Sequence, residues 1–193
     1  MNGLPVSHRF FQDCQRENWA RFIQWSVAKN QSLFCTMTFK DYIPERRSWK
    51  LIKHWLYNMS EAHREKMDLN KGDYRLRWIF ATEWQVRMVI HYHGVVMGYG
   101  VDTLSRKRWE ARWETLDRNT GFCRIFPADM KAAPYLAKYV GKSLFGDDKS
   151  QGNIYVGGVW QGWKVPASVS CTHSNSLTLG RVLSESSMHM MGR

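Results

Sequence analysis

Apolar and polar residues alternate in some stretches of the chain and recur at helical spacing in others. Between residues 32 and 39, every second side chain is apolar, which predicts a strand with one face in the core. At 16–29 and 48–67 the apolar residues recur three and four positions apart, which predicts amphipathic helices, the second capped by Ser48. The same patterns predict helices at 102–116 (capped by Asp102) and 131–143, and strands at 76–84, 89–97, 122–126 and 154–160.

The order of these elements predicts an α+β fold. The strands at 76–84 and 89–97 are close enough to form a hairpin, so we expect a mainly antiparallel central sheet with a single layer of helices packed on it. The length of 193 residues predicts one domain, 1–193, whose motif-bearing core lies at about 32–143. The segment 147–193 carries no motif that assigns it a role.

The charge of the chain indicates the kind of partner. Lys and Arg total 28 against 17 Asp and Glu, a net charge of +11, and nucleic acid is the commonest anion that matches such an excess. As a set, the basic side chains predict an affinity that falls steeply with salt. Aromatic rings can stack on unpaired bases, but for Trp49, Trp109 and Trp113 we expect core packing instead.

Two further patterns bear on the location of the protein. The first residues lack the features of a secretory signal, and no stretch has the apolar length of a membrane span. The four cysteines form no C-x-x-C pair, which disfavours both a zinc knuckle and a disulfide framework. We therefore expect a cytoplasmic protein that does not bind membranes.

The strongest local signal for chemistry is the pair His91 and His93. Residues two apart on a strand point to the same side, so these imidazoles can share a divalent metal, although an isolated pair is more often without a ligand. Glu83 joins them on that face if the hairpin loop has an odd length, for example residues 86–88, which pairs Glu83 with His91. Such a site suits Mn²⁺ or Mg²⁺, with Zn²⁺ as an alternative.

A second signal lies on the predicted helix at 131–143. Tyr135 and Tyr139 share one helix face, and Lys138 and Lys142 each follow a tyrosine by three positions. Tyrosines on a helix usually pack in the core. A lysine one turn from each ring is more suggestive, because a cation can hold a phosphate and stabilise a phenolate.

These motifs occur in the order of the three motifs of HUH endonucleases. The first is Phe34-Cys35-Thr36-Met37-Thr38, the second is Glu83 with His91-Tyr92-His93, and the third is Tyr135-x-x-Lys138-Tyr139-x-x-Lys142. Over residues 32 to 143 the chain resembles the rolling-circle replication initiators (Rep proteins) of small phages and plasmids, in the two-tyrosine class. The residues at 88–90 depart from the small residues often found before the histidines.

The resemblance implies a fold, a reaction and partners. It implies an HUH palm in which Glu83, His91 and His93 hold the metal while Tyr135 and Tyr139 attack single-stranded DNA at an origin, assisted by Lys138 and Lys142. The product is a 5′-phosphotyrosine and a free 3′-hydroxyl that primes synthesis. The partners implied are origin DNA and the helicase and polymerase of a bacterial or archaeal host. Thr36 and Thr38 are expected to support the metal-bearing strand.

Three other functions stay open at this level. A basic domain that binds single-stranded nucleic acid without cleaving it explains the charge and the aromatic residues. An HUH transposase or relaxase keeps the chemistry and changes the biology. A metal hydrolase for small substrates fits poorly with the net charge of +11.

Overall fold

A computed structural model describes residues 6–70, 76–129, 132–145 and 153–157 of the chain. The elements in chain order are α1 (Val6–Lys29), β1 (Ser32–Phe39), α2 (Glu45–Lys66), β2 (Arg77–Trp84), β3 (Ile90–Met97), a 3₁₀ turn (Val101–Thr103), α3 (Arg106–Glu114), β4 (Thr120–Pro127), α4 (Ala132–Phe145) and β5 (Ile154–Gly157). In these ranges no helix combines the length and the apolar character needed to cross a membrane.

The five strands form one open sheet in the order β4-β1-β3-β2-β5. Every neighbouring pair is antiparallel. This confirms the predicted α+β fold and its mainly antiparallel sheet. Of the segment 147–193, the structure describes residues 153–157, which form the edge strand β5. The rest of that segment, with the predicted end of the strand at 160, lies outside the described residues.

Alternate residues of the strands pack against different helices. One face of the sheet packs against α2 and α3 in a cluster rich in tryptophan, which includes Trp49, Trp55, Trp109 and Trp113. The opposite face packs against α1 and α4. Each face therefore carries a single layer of helices. The central strands need both layers because β1 and β3 have apolar residues on both sides, which follows the rule that a strand buried on two faces is apolar throughout.

Two helix starts differ from the prediction. Helix α2 begins after Pro44, and Ser48 lies inside it, where its buried hydroxyl contacts Tyr92 instead of capping the helix. Asp102 belongs to the 3₁₀ turn, and the N-cap of α3 is Ser105, whose hydroxyl accepts from the Arg108 N–H at 3.4 Å. Both predicted caps were therefore wrong, because the chain turns again at Leu104 and because a tertiary contact occupies Ser48.

Candidate active site

The β2–β3 hairpin brings the three predicted metal ligands together. Glu83 lies directly opposite His91, and His93 follows two residues later on the same face. The connection is the three-residue loop 86–88, closed by the Gln85 N–H bonding to Val89 O at 3.0 Å. Met88 has a φ of 59°, the left-handed residue that such loops require. The predicted pairing of Glu83 with His91 is confirmed.

The ligand atoms of this triad fit a divalent metal. One nitrogen or oxygen atom from each of Glu83, His91 and His93 lies within 4.8 Å of the others. Nε2 of His93 is 3.3 Å from a carboxylate oxygen of Glu83. Nε2 of His91 is buried and has no hydrogen-bond partner among the described residues. A buried polar atom without a partner is costly, and a cation shared with the other two ligands would satisfy it.

Two further side chains hold the histidine rings from behind. The Gln85 amide lies 3.1 Å from Nδ1 of His91, and the Thr36 hydroxyl lies 3.3 Å from Nδ1 of His93. Such outer partners fix the orientation of a ligating imidazole and set which nitrogen carries the proton. Thr36 supports the metal-bearing strand as expected. Thr38 instead donates to Phe122 O at 3.1 Å, on the other neighbouring strand.

Gln85 was not singled out from the sequence. It lies two positions after Glu83, and the period of two residues along a strand already places both side chains on one face. That period could have found it. Its position just beyond the last residue of β2 hides the signal, because the strand ends at Trp84 and side-chain directions in loops do not follow the period.

Burial keeps the His91 ring in its neutral form. Desolvation lowers the pKa of His91; the Glu83 carboxylate opposes this and the Arg87 guanidinium adds to it. A neutral imidazole has a lone pair available, which is the form that binds a metal.

The two tyrosines of α4 lie against the triad. The ring of Tyr139 stacks on the His93 ring, with centroids 3.7 Å apart and planes 14° apart. The hydroxyls of Tyr135 and Tyr139 are 2.7 Å apart, and the Tyr135 ring meets His93 and Phe34 edge-on. Leu136 and Val140 anchor the helix in the apolar cluster beside the site. One helix face therefore presents both phenols to the metal-ligand set.

The two phenols differ in their exposure. Tyr135 is 45% exposed and Tyr139 is 8% exposed. Burial raises the pKa of Tyr139 above its usual range, and the hydrogen bond to Tyr135 and the Glu83 carboxylate raise it further. Tyr139 therefore keeps its proton and can donate it in a hydrogen bond, whereas Tyr135 is the phenol that solvent and substrate can reach.

The two lysines stand differently. Lys138 is exposed one residue before Tyr139, and no hydrogen bond or ion pair ties it to another described residue. The backbone of Lys142 belongs to α4, but its side chain lies outside the described part of the chain. Assistance by these cations stays a prediction.

Comparison with known proteins identifies the family. Residues 32–144, more than half of the chain, match the family model described as replication-associated protein, of the ORF2 type. The match begins with β1 and ends within α4, so it contains the triad and both tyrosines. Searches among curated proteins and among solved structures gave no significant match. The expectation of a Rep-type replication protein is confirmed, since the chain belongs to this family of replication-associated proteins.

Proposed function

We propose that this protein is an HUH endonuclease of the two-tyrosine class that nicks and rejoins single-stranded DNA at an origin of replication. The observation that carries the proposal is the stack of Tyr139 on His93, with the Tyr135 hydroxyl 2.7 Å from that of Tyr139. Two candidate nucleophiles and a metal-ligand set are thus in contact on one face of the sheet. The net charge of +11 and the family support DNA as the substrate.

Glu83, His91 and His93 would hold the metal, as Mn²⁺ or Mg²⁺ with Zn²⁺ as the alternative. A bound divalent cation supplies Lewis-acid polarisation of the scissile phosphate. Gln85 and Thr36 keep the two imidazoles in the orientation that leaves their Nε2 atoms facing Glu83 and one another. With Nε2 of His91 ligated, its Nδ1 carries the proton, and a half-turn of the Gln85 amide presents an oxygen to accept it.

The covalent step conserves the phosphodiester bond energy. A tyrosine hydroxyl loses its proton to solvent and its oxygen attacks phosphorus, which forms the P–O(Tyr) bond and breaks the bond to the 3′ oxygen. The 3′ oxygen takes up a proton and leaves as a hydroxyl that primes synthesis, while the 5′-phosphate stays on the enzyme. Attack by a 3′-hydroxyl reverses the step, so rejoining needs no ATP. We assign unwinding and synthesis to a helicase and a polymerase of the host.

The exposure of the phenols assigns their order. Tyr135 meets the DNA first because it is the exposed member of the pair. Tyr139, which is nearly buried, is placed to donate a hydrogen bond to the Tyr135 oxygen as negative charge develops there. Tyr139 then acts in the second cleavage that releases a circle. Lys138 and Lys142, on the same helix, add positive charge near the phosphate.

The test is an adduct assay on the full chain. The protein is incubated with a pool of single-stranded DNA and Mn²⁺, and the expected result is a protein–DNA band that survives SDS and disappears with EDTA. Tyr135→Phe should remove most of the band, Tyr139→Phe should spare the first adduct and impair rejoining, and the double variant should remove all of it. Tyr57→Phe is the matched control, since Tyr57 is an exposed tyrosine on α2.

Other outcomes distinguish the alternatives. An adduct that survives the double substitution contradicts the two-tyrosine mechanism. No adduct, with salt-sensitive binding retained, favours a binding domain without cleavage. The DNA sequence attached to the tyrosine separates a replication origin from the ends that a transposase or a relaxase would cut.

A further inference from the structure

The edge strand β4 exposes a row of aromatic and basic side chains. Phe122 is 49% exposed and Phe126 is 54% exposed, and Arg124 lies exposed between them. The alternate residues Cys123 and Ile125 are buried in the tryptophan-rich cluster on the opposite face. The strand is thus amphipathic in an unusual sense, because its solvent side carries two large apolar rings.

This row, Phe122, Arg124 and Phe126, lies on the same face as the candidate active site. Arg124 is paired with Thr36 of β1, which is paired in turn with His93 of β3. Because neighbouring strands lie ~4.8 Å apart, the row is ~10 Å from the strand that bears the histidines. Tyr135 lies between them in the sense that its ring contacts both His93 and Phe34 of β1, and Phe34 is paired with Phe126.

The backbone of this edge is not free to add another strand. The N–H of Cys123 donates to a carboxylate oxygen of Glu114 at 3.3 Å, and the N–H of Ile125 donates to one of Glu110 at 2.7 Å. Both carboxylates come from α3, which packs beside β4. Blocking edge donors with side chains prevents strand pairing with a peptide or a second copy of the chain. What the edge offers to a partner is its row of side chains.

The charge around the row favours an anion. The Arg124 guanidinium lies over the Phe122 ring at 5.4 Å from its centroid. Its ion pair with Glu114, at 3.1 Å, is half exposed on both sides, and such pairs are weak enough for a phosphate to compete. Lys40, exposed, and Arg118, exposed, lie at the Phe122 end, where Lys40 Nζ donates to Arg118 O at 3.3 Å.

We propose that Phe122, Arg124 and Phe126 form a stacking platform for the single-stranded DNA next to the cleaved phosphate. The two rings take unpaired bases, and Arg124 holds the phosphate between them. Phe122 and Phe126 are four residues apart on a strand, which is ~14 Å, so the rings bind bases that are not neighbours in a stack. This inference rests on the proposed function for its substrate, and it concerns binding instead of cleavage.

The test is a binding measurement that does not require cleavage. Fluorescence anisotropy follows a labelled 20-nucleotide oligothymidylate titrated with the full chain in EDTA. Phe122→Ala and Phe126→Ala should each weaken binding by about 5- to 100-fold, the range found for single base–aromatic stacks. Arg124→Gln should weaken binding less and lower the slope of log K against log salt by about 0.7. Phe122→Trp should retain the affinity.

Two controls identify stacking as the cause. Tyr57→Ala removes an exposed ring from α2 and should leave the affinity unchanged. A 20-unit abasic oligomer has the same phosphates without bases, so wild type and the phenylalanine variants should bind it equally. Because Phe122 and Phe126 are exposed, their alanine variants should unfold within about 1–2 °C of wild type.

The results separate this inference from the proposed function. If the double phenylalanine variant binds oligothymidylate within about twofold of wild type, the platform is wrong, whatever the adduct assay shows. A fall of several degrees in the melting temperature, or a change in oligomeric state, would overturn it too, because the rings would then be packed against protein. If no adduct forms but the phenylalanine variants lose affinity, the nuclease mechanism fails and the platform stands.

Discussion

The two faces of the sheet are made from alternate residues of the same strands and serve different ends. On β3, Tyr92 points into the tryptophan-rich cluster, is fully buried and hydrogen-bonds the Ser48 hydroxyl at 2.7 Å. Its neighbours His91 and His93 point to the other face, where Nε2 of His91 has no hydrogen-bond partner among the described residues. One face satisfies its polar groups internally, and the other holds a buried polar atom in place for a ligand.

The difference shows how one sheet separates stability from chemistry. The face under α2 and α3 contains the large rings Trp49, Trp55, Trp109 and Trp113. Dense apolar packing of this kind supplies most of the folding free energy. The face under α1 and α4 is apolar at one end, around Val95 and Met97, and polar at the other. The rigid core behind the sheet can therefore hold the polar end in a geometry that is unfavourable until a cation binds.

The largest expected effect separates neighbours on β3. Tyr92→Ala should lower the free energy of unfolding by about 3–5 kcal/mol, because it empties a fully buried aromatic site. His91→Ala, one residue away on the other face, should change it by about 1 kcal/mol or less. Urea unfolding followed by tryptophan fluorescence measures both. Equal losses would contradict the division of labour between the faces.

The next effect concerns metal binding. Mn²⁺ at about 100 times its dissociation constant should stabilise wild type by about 2.7 kcal/mol and raise its melting temperature by about 5–10 °C. His91→Ala should abolish the shift because it removes one of three ligands. His54→Ala is the matched control, since that histidine is exposed on α2. A shift that survives in His91→Ala would place the metal elsewhere.

A smaller loss is expected from the residue behind His91. Gln85→Leu keeps the size of the side chain but removes the amide at 3.1 Å from Nδ1. Mn²⁺ affinity should fall by about 10- to 100-fold, as for other outer partners of ligating histidines. Val86→Ala, in the same loop and fully exposed, should leave the affinity unchanged. Isothermal titration of the metal distinguishes Gln85 from a surface residue by this ratio.

The smallest effects compare two threonines on one strand. Thr36→Val loses the contact with His93 and should weaken Mn²⁺ binding by about fivefold, close to 1 kcal/mol. Thr38→Val loses the bond to Phe122 O and should lower the free energy of unfolding by about 1 kcal/mol without changing metal affinity. The same titration and urea experiments test this exchange. If both variants bind Mn²⁺ equally weakly, the two threonines do not have separate roles.

The sequence predicted the hairpin well and the helix caps poorly, for the same physical reason. The pairing of Glu83 with His91 follows from the parity of a short loop, and short-range geometry leaves few alternatives. Ser48 has the composition of an N-cap, but its hydroxyl bonds Tyr92, a residue 44 positions away. Gln85 lies just past the end of β2, where the pattern stops. Local rules failed where a distant contact competed with them.

Periodicity along the chain was enough to establish the elements, the sides of the strands on which the histidines lie, and the shared helix face of Tyr135 and Tyr139. It did not establish that α4 packs over β3, which brings the Tyr139 ring to 3.7 Å from His93. Nor did it indicate that β4 lies beside β1, with Arg124 in line with Thr36 and His93. Periodicity reports only which side of its own element a residue occupies. The order of strands and the docking of helices come from burying apolar faces from distant parts of the chain against one another.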